Sequence, residues 1–455
     1  MKRQLFGTDG IRGKANAHPM TVQTAVRLGQ AIAYKVRTEG HTSRIIIGKD
    51  TRLSGYLYET ALTAGITSAG AQAWQVGVLP TPGIAYITGA FRADAGIVIS
   101  ASHNPFDDNG LKIFAGNGYK LPDSKEAELE ALMSGDRLDA ELVHGADIGR
   151  AYRVHDALGR YVTYLKGTFP REFTLEGMKI VTDCANGAAY KVAPLVLREL
   201  GATVIELGTE PNGVNINLDA GALHPERMAE KVRETQADLG IALDGDADRI
   251  ILCDEKGTIV DGDQILAIAA ARKKSAQTLA GDTLVATVMS NLGLEIAMER
   301  LGISLVRTGV GDRYVVEEMR KHGYNLGGEQ SGHLIFLDHS TTGDGSLSAL
   351  QILAIMLQEE RPLSELAAIM ERLPQVLVNV RVAEKRPLED LPQVRKAIKN
   401  LEKKLGRDGR VLVRYSGTEP KVRVMVEGTD RALIDQYARE IGEVFLHELG
   451  EVQDG

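Results

Sequence analysis

Three times along the chain, a short and almost continuous apolar run stops at a small or polar turn and gives way to a helical pattern. Arg44–Asp50 leads to a helix over about Tyr56–Ala69. Met178–Asp183 passes through Ala185-Asn186-Gly187 to a helix ending near Leu200, and Thr283–Val288 passes through Ser290-Asn291 to one ending near Leu301. Buried strands alternating with helices require mostly parallel sheets covered on both faces. The three openings lie about 134 and 105 residues apart and read as the starts of comparable α/β units, although their letters barely match. The end of the chain breaks the pattern. Val411–Arg414 and Arg423–Val426 read as two strands around a loop, and Thr429 reads as the N-cap of an amphipathic helix to about Leu449, so this part is a smaller α+β domain. The expected domains are 1–155, 156–257, 258–370 and 371–455.

Composition narrows the function class. A net charge of −8 and 5% aromatic residues argue against a nucleic-acid partner. Cys184 and Cys253 have neither metal-type spacing nor the number for a disulfide framework, which points to a reducing cytoplasm. The first residues lack the apolar core of a signal peptide, and no stretch reaches the ~18 apolar residues of a membrane span, so no membrane partner is expected.

Four loops carry chemistry. Ser100-Ala101-Ser102-His103-Asn104-Pro105 follows the strand Ala95–Ile99, where α/β sheets place their ligands; read alone, it is equally an ordinary hydroxyl turn. A Ser-His hydrolase fits poorly, because adjacent side chains seldom face each other and there is no Gly-x-Ser-x-Gly elbow. Asp244-Gly245-Asp246-Ala247-Asp248-Arg249 sets three carboxylates at alternate positions, a repulsion that a hard divalent cation offsets. Arg249 stands where a calcium-binding EF-hand needs glycine, and strands flank the loop, so that rival is rejected. Gly327-Gly328-Glu329-Gln330-Ser331-Gly332-His333 can hydrogen-bond a polyhydroxy ligand or simply be solvated. Arg414-Tyr415-Ser416-Gly417-Thr418-Glu419-Pro420, with Arg423 behind it, has the make-up of an anion nest and lacks the Lys of a Walker loop. Together the four describe a phosphosugar enzyme.

In the order and spacing of these loops, over essentially the whole length, the chain resembles the α-D-phosphohexomutase superfamily. Phe6-Gly7-Thr8-Asp9-Gly10-Ile11-Arg12-Gly13, Gln330, Val310-Gly311-Asp312-Arg313-Tyr314 and Arg423–Gly428 make it most similar to the bacterial branch that interconverts glucosamine 6-phosphate and glucosamine 1-phosphate. Those enzymes are intramolecular phosphotransferases, and the step feeds UDP-N-acetylglucosamine and peptidoglycan.

The resemblance implies three related α/β domains with mixed, mostly parallel sheets and a smaller C-terminal α+β domain around a central cleft. It implies that Ser102 is the phosphoserine. Mg²⁺ would be held by Ser102, Asp244, Asp246 and Asp248, with Arg249 on the transferring phosphoryl group. Glu329, Ser331 and His333 would bind the sugar, Arg12 would contact substrate, and Arg414, Ser416, Gly417, Thr418 and Arg423 would hold the phosphate at rest. Lys112, His103 and His333 are the acid/base candidates. Glucosamine 1,6-bisphosphate or glucose 1,6-bisphosphate would act as activator. A homodimer and a protein kinase acting on Ser102 stay open, and turnover of the intermediate predicts a hinge near residue 370. One position departs from the pattern. Gly311-Asp312 stands where mannose- and glucose-directed relatives often carry Gly-His, so any role of that histidine is not carried over.

Overall fold

The computed structural model describes residues 5–7, 9–415 and 421–450. These fall into two compact units, one of residues 1–289 and 302–369 and the other of 290–301 and 370–455.

The larger unit holds three sheets that share one plan. In the first, Arg44–Lys49 lies between Gln72–Val78 and Ala95–Ile99, parallel to both, and Asp108–Ala115 runs antiparallel beside Ala95–Ile99. In the second, Lys179–Asp183 is flanked in parallel by Thr203–Leu207 and Leu239–Leu243, with Ile250–Asp254 antiparallel beyond. In the third, Thr283–Thr287 is flanked by Ser304–Thr308 and Leu326–Gly328, with Leu334–Phe336 antiparallel beyond. The repeat suggested by the apolar runs is therefore one of topology: strand order two-one-three-four, with the fourth strand reversed. Ile11–Lys14 and Ala151–Arg153 extend the first sheet at its two edges, and Ile259–Val260 extends the second.

Strand alternation gives the first sheet its two covered faces. Ile45 and Ile47 join Leu28, Ile32, Leu62 and Ile66 of helices Val22–Val36 and Gly55–Ser68 in one core. Gly48 is turned the other way, where a β-carbon would meet Ile84 of helix Thr81–Ala90.

The three domains of this unit are also joined through polar contacts. The Tyr161 hydroxyl of helix Ala157–Gly167 donates to Asp344 Oδ2 at 2.6 Å, while Asp344 Oδ1 caps helix Gly345–Glu359 by accepting from Leu347 N at 2.9 Å. Burial pushes the Asp344 carboxyl up to about 6, against the pull of the Leu347 and Tyr161 bonds. A raised carboxyl contributes stability below its unfolded value that is lost as pH rises through the folded value. Tyr161→Phe removes one of the bonds that favour the carboxylate, so the variant should lose about 1–3 kcal/mol at pH 8 and distinctly less at pH 5. Urea titrations at the two pH values check this; an equal loss at both would contradict it.

The smaller unit is a three-stranded antiparallel sheet in the order Gln375–Arg381, Lys421–Gly428, Gly409–Tyr415. Helices Pro392–Leu405 and Arg431–Leu449 supply Val394, Leu401, Ile434, Ile441 and Phe445 to a core with Val422, Val424 and Val426. The sequence reading found two of the three strands. The cap of the last helix is Asp430, not Thr429: its carboxylate accepts from Ala432 N at 2.9 Å and Leu433 N at 3.2 Å, which fits its acceptor-only, charged end. Segment 290–301 belongs to this unit through Asn291, whose side chain donates to Leu373 O and accepts from Leu373 N, both at 3.0 Å.

Candidate active site

The common plan explains where the chemistry-bearing loops lie. In each domain of the larger unit, the connection from the third parallel strand to the reversed fourth strand carries one of them: 100–107, 244–249 and 329–333. Backbone contacts dock these loops on one another. Gly245 lies under the Ser102 carbonyl, where a β-carbon would stand 2.6 Å from that oxygen. Ile250 N donates to Gly332 O at 3.0 Å, joining the second loop to the third. Gly332 has φ +90° and room for no side chain, since a β-carbon would meet Ile250 O at 1.9 Å.

Ser102 is buried in a left-handed conformation, φ +52°. Its Oγ donates to Asp244 Oδ2 at 2.6 Å and lies 3.3 Å from His103 Nδ1. Its amide donates to Ser100 Oγ, which donates in turn to Asp50.

Asp244, Asp246 and Asp248 are all buried and bring carboxylate oxygens within 4.8 Å of one another. Asp246 Oδ2 accepts from Thr81 Oγ1 and Lys112 Nζ, both at 2.7 Å, but among the described residues buried Asp246 Oδ1 and Asp248 Oδ1 accept no full hydrogen bond, Asp248 Oδ1 having long contacts to His333 Nδ1 at 3.5 Å and Arg249 Nε at 3.9 Å. Burial and the charges of Asp248 and Asp246 push the Asp244 carboxyl up to about 8. Orphaned oxygens and mutual repulsion together fit a divalent cation, and all the donors are hard oxygens.

A closed ring of acidic and basic groups passes through one member of the triad, Asp248. Lys112 Nζ lies 3.2 Å from Asp9 and 3.4 Å from Asp248. Asp248 Oδ1 faces His333 Nδ1 at 3.5 Å, and His333 Nε2 faces Asp312 at 3.5 Å. Asp312 pairs with Lys120, which returns to Asp9 at 2.6 Å. Arg12 pairs with the same Asp9. Gly343 N donates to His333 Nε2 at 3.1 Å, so Nδ1 carries the hydrogen that faces Asp248.

This setting separates the acid/base candidates. Burial alone would lower Lys112 and His333, but the surrounding carboxylates more than offset it and both stand above their ordinary values. Burial, then Arg249 and Arg12, push His103 down to about 4. At neutral pH His103 is therefore uncharged, while Lys112 holds its proton.

Arg249 is charged and mostly buried. Its Nε approaches Asp248 at 3.9 Å and has no hydrogen-bond acceptor among the described residues. Glu329 is buried and accepts from Gly311 N at 3.2 Å, while Ser331 is exposed, with its Oγ 3.5 Å from Glu329 Oε2. The structure thus brings Ser102, His103, Lys112, Arg12, the three aspartates, Arg249, Glu329, Ser331 and His333 together in one unit.

Arg414 and Arg423 lie in the smaller unit, directly opposite each other on paired strands. Burial and Arg423 lower Arg414, and among the described residues buried Arg423 Nε has no hydrogen-bond partner; two cations in register are unfavourable until an anion bridges them. Ser416, Gly417 and Thr418 lie outside the described residues.

Several site residues were not picked out from the sequence: Asp9, Asp50, Arg52, Thr81, Lys120 and Asn217. Asp50 and Arg52 carried a signal, a charged pair just after a parallel strand buried from Ile45 onward, where ligand sites form. The others are recognisable only through tertiary contact.

The family described as phosphoglucomutase/phosphomannomutase matches the chain in four parts. These are α/β/α domain I over 3–139, domain II over 159–257, domain III over 261–373 and the C-terminal domain over 377–444. A phosphoglucosamine mutase of Citrifermentans bemidjiense is 58% identical over 448 residues, 98% of this chain and 99% of the relative. Among solved structures, a phosphoglucomutase/phosphomannomutase family protein of Burkholderia thailandensis superposes with TM-score 0.78 at 24% identity, covering 97% of each chain. The Aspergillus fumigatus N-acetylphosphoglucosamine mutase, in complex with GlcNAc-6P and magnesium, superposes with TM-score 0.67 at 19% identity, covering 97% of this chain and 95% of that one. These two share the fold.

Proposed function

The chain belongs to the phosphoglucomutase/phosphomannomutase family, and on that premise we propose that it interconverts glucosamine 6-phosphate and glucosamine 1-phosphate. The observation that carries the reading is the buried Ser102 hydroxyl 2.6 Å from a carboxylate triad with unsatisfied oxygens. A hydroxyl in that place is suited to carry a phosphoryl group, and 58% identity to a phosphoglucosamine mutase over nearly the whole chain supports the amino sugar as substrate.

In this reading phospho-Ser102 gives its phosphoryl group to the free hydroxyl of the sugar monophosphate. The product is glucosamine 1,6-bisphosphate, which turns end for end, and Ser102 takes the other phosphate. Asp244, Asp246 and Asp248 would hold Mg²⁺, which supplies neutralisation of phosphoryl charge when bound. Arg249, with a free Nε beside the triad, takes a phosphoryl oxygen. Glu329 accepts hydroxyls of the ring in either orientation, with Ser331 beside it. Arg414 and Arg423 grip the phosphate at rest, their mutual repulsion relieved by it. Lys112 is the group poised to donate a proton, His333 holds its Nδ1 toward Asp248, and His103 is the neutral imidazole next to Ser102. In the same reading the domains are 1–155, 156–257, 258–370 and 371–455, with segment 290–301 of the third packed in the smaller unit, and a 1,6-bisphosphate would load Ser102 initially.

A coupled assay across three sugar phosphates tests the substrate. kcat/KM for glucosamine 6-phosphate should exceed that for glucose and mannose 6-phosphates by at least about tenfold. Preference for mannose or glucose phosphate would move the chain to another branch of the family, and bulk release of inorganic phosphate would make it a phosphatase.

A further inference from the structure

Arg52 is among the largest side chains that are fully buried. A guanidinium has five N–H groups, and here each has its own acceptor. Nε donates to Asp50 Oδ2 at 2.8 Å. Nη1 donates to Pro105 O and, at 3.0 Å, to Asp108 O. Nη2 donates to Ser102 O at 2.9 Å and Asn104 O at 2.8 Å. Three carbonyls of the loop that carries Ser102, and that of Asp108 at the start of the next strand, thus converge on one buried cation with a single carboxylate partner. Burying such a charge is costly, and an ordinary turn needs nothing of the kind.

The loop has something to restrain. Ser102 is held at φ +52°, a conformation that persists in a non-glycine residue only when its surroundings over-determine it. Its carbonyl is fixed twice, by Arg52 and by Asn217 Nδ2 of the neighbouring domain at 2.9 Å; the same Asn217 amide reaches Asn104 O at 3.1 Å. The residues flanking Arg52 reach across to that domain as well, Thr51 Oγ1 donating to Asn186 O at 2.6 Å and Leu53 N to Gly213 O at 2.9 Å. The Arg52 segment therefore lies between the domain that holds Ser102 and the domain that holds Asp244.

We propose that Arg52 is a positioning residue for phosphoryl transfer, with Asn217 as its partner: by gathering the carbonyls of residues 102, 104, 105 and 108 it keeps the Ser102 hydroxyl aimed at the Asp244 carboxylate. This rests on the reading of Ser102 as the phosphoryl carrier. Orientation of a reacting group by a rigid clamp is worth about 10²-fold per ångström of misplacement. A lysine keeps the charge and the Asp50 pairing but is a point donor, unable to span four carbonyls.

The test compares Arg52→Lys, Asn217→Ala and Ser102→Ala with the wild-type full chain, each assayed on glucosamine 6-phosphate. Melting temperature and amide exchange over residues 101–109 are measured in parallel. Arg52→Lys should melt within a few degrees of wild type and exchange faster over that loop alone. Its kcat should fall at least about 100-fold with KM nearly unchanged, and Asn217→Ala should lose kcat about tenfold in the same manner. A folded Arg52→Lys with wild-type kcat, or a loss confined to KM, overturns the proposal. If Arg52→Lys does not fold, Asn217→Ala decides: an unchanged kcat overturns it. An active Ser102→Ala would instead reject the phosphoserine reading, whereas an inactive Ser102→Ala beside unaffected Arg52 and Asn217 variants rejects the clamp alone.

Discussion

Ser102→Ala should leave a folded protein whose mutase turnover is reduced by at least about 10⁴-fold, since Ser102 carries the hydroxyl held against Asp244, and the buried Thr81 hydroxyl beside it is engaged with Asp246 Oδ2. The fold should survive for a local reason. Alanine meets the same left-handed backbone strain as serine, and the loop keeps its backbone anchors from Arg52, Asn217 and Ser100. What disappears is one oxygen, with its bond to Asp244. Stability should therefore move by about 1–2 kcal/mol at most, within the usual range for one side-chain hydrogen bond. Mass spectrometry gives an independent readout: wild type should carry an added phosphate on the 102 peptide, and the variant none. Wild-type rates in Ser102→Ala would remove the phosphoserine from the mechanism altogether.

Removal of divalent metal should have an effect of similar size. Three buried carboxylates within 4.8 Å of one another, two with unsatisfied oxygens, make a site that is electrostatically incomplete as protein alone. Lys112 offsets part of the charge but binds only Asp246 and Asp248 of the three. Treatment with a chelator should stop turnover, and added Mg²⁺ should restore it. Binding to the folded state alone also raises its stability, so the melting temperature should climb with Mg²⁺ concentration in wild type. Asp246→Asn should show little such rise, together with a loss of activity of about 10³-fold or more. Full activity in chelator would overturn the metal role of the loop.

The sequence made the α/β class legible because buried parallel strands are short apolar runs, and Ile45–Ile47, Val181 and Val285 lie on interior strands, paired on both sides. It could not show that the reversed fourth strands repeat the same plan. Those strands are set by pairing with the third, and pairing leaves no periodic mark in the letters. The loops at Ser102, Asp244–Arg249 and Glu329–His333 were readable because chemistry forces unusual residue types into close spacing. The ring through Asp9, Lys120 and Asp312 was not, since its members come from distant segments and each looks like a solvated charge until the fold closes. Arg52 lies between the two cases. Its place after a buried strand was visible, but its five acceptors come from residues 50 to 108 and only tertiary structure gathers them. The third C-terminal strand, Gln375–Arg381, carries an alternation of Val376, Val378 and Val380 that could have revealed it.

The backbone contact between Gly332 and Ile250 limits how substrate choice can be altered in this chain. The loop 329–333, proposed to bind the sugar, cannot be exchanged as a free-standing cassette, because its last turn packs against the end of the Asp244–Arg249 loop. A donor sequence lacking glycine at 332 would push Ile250, and with it Arg249 and Asp248, out of place. Under the proposed function, specificity would be left to evolve, or to be engineered, through the side chains at 330 and 331, which take no part in the Gly332–Ile250 contact.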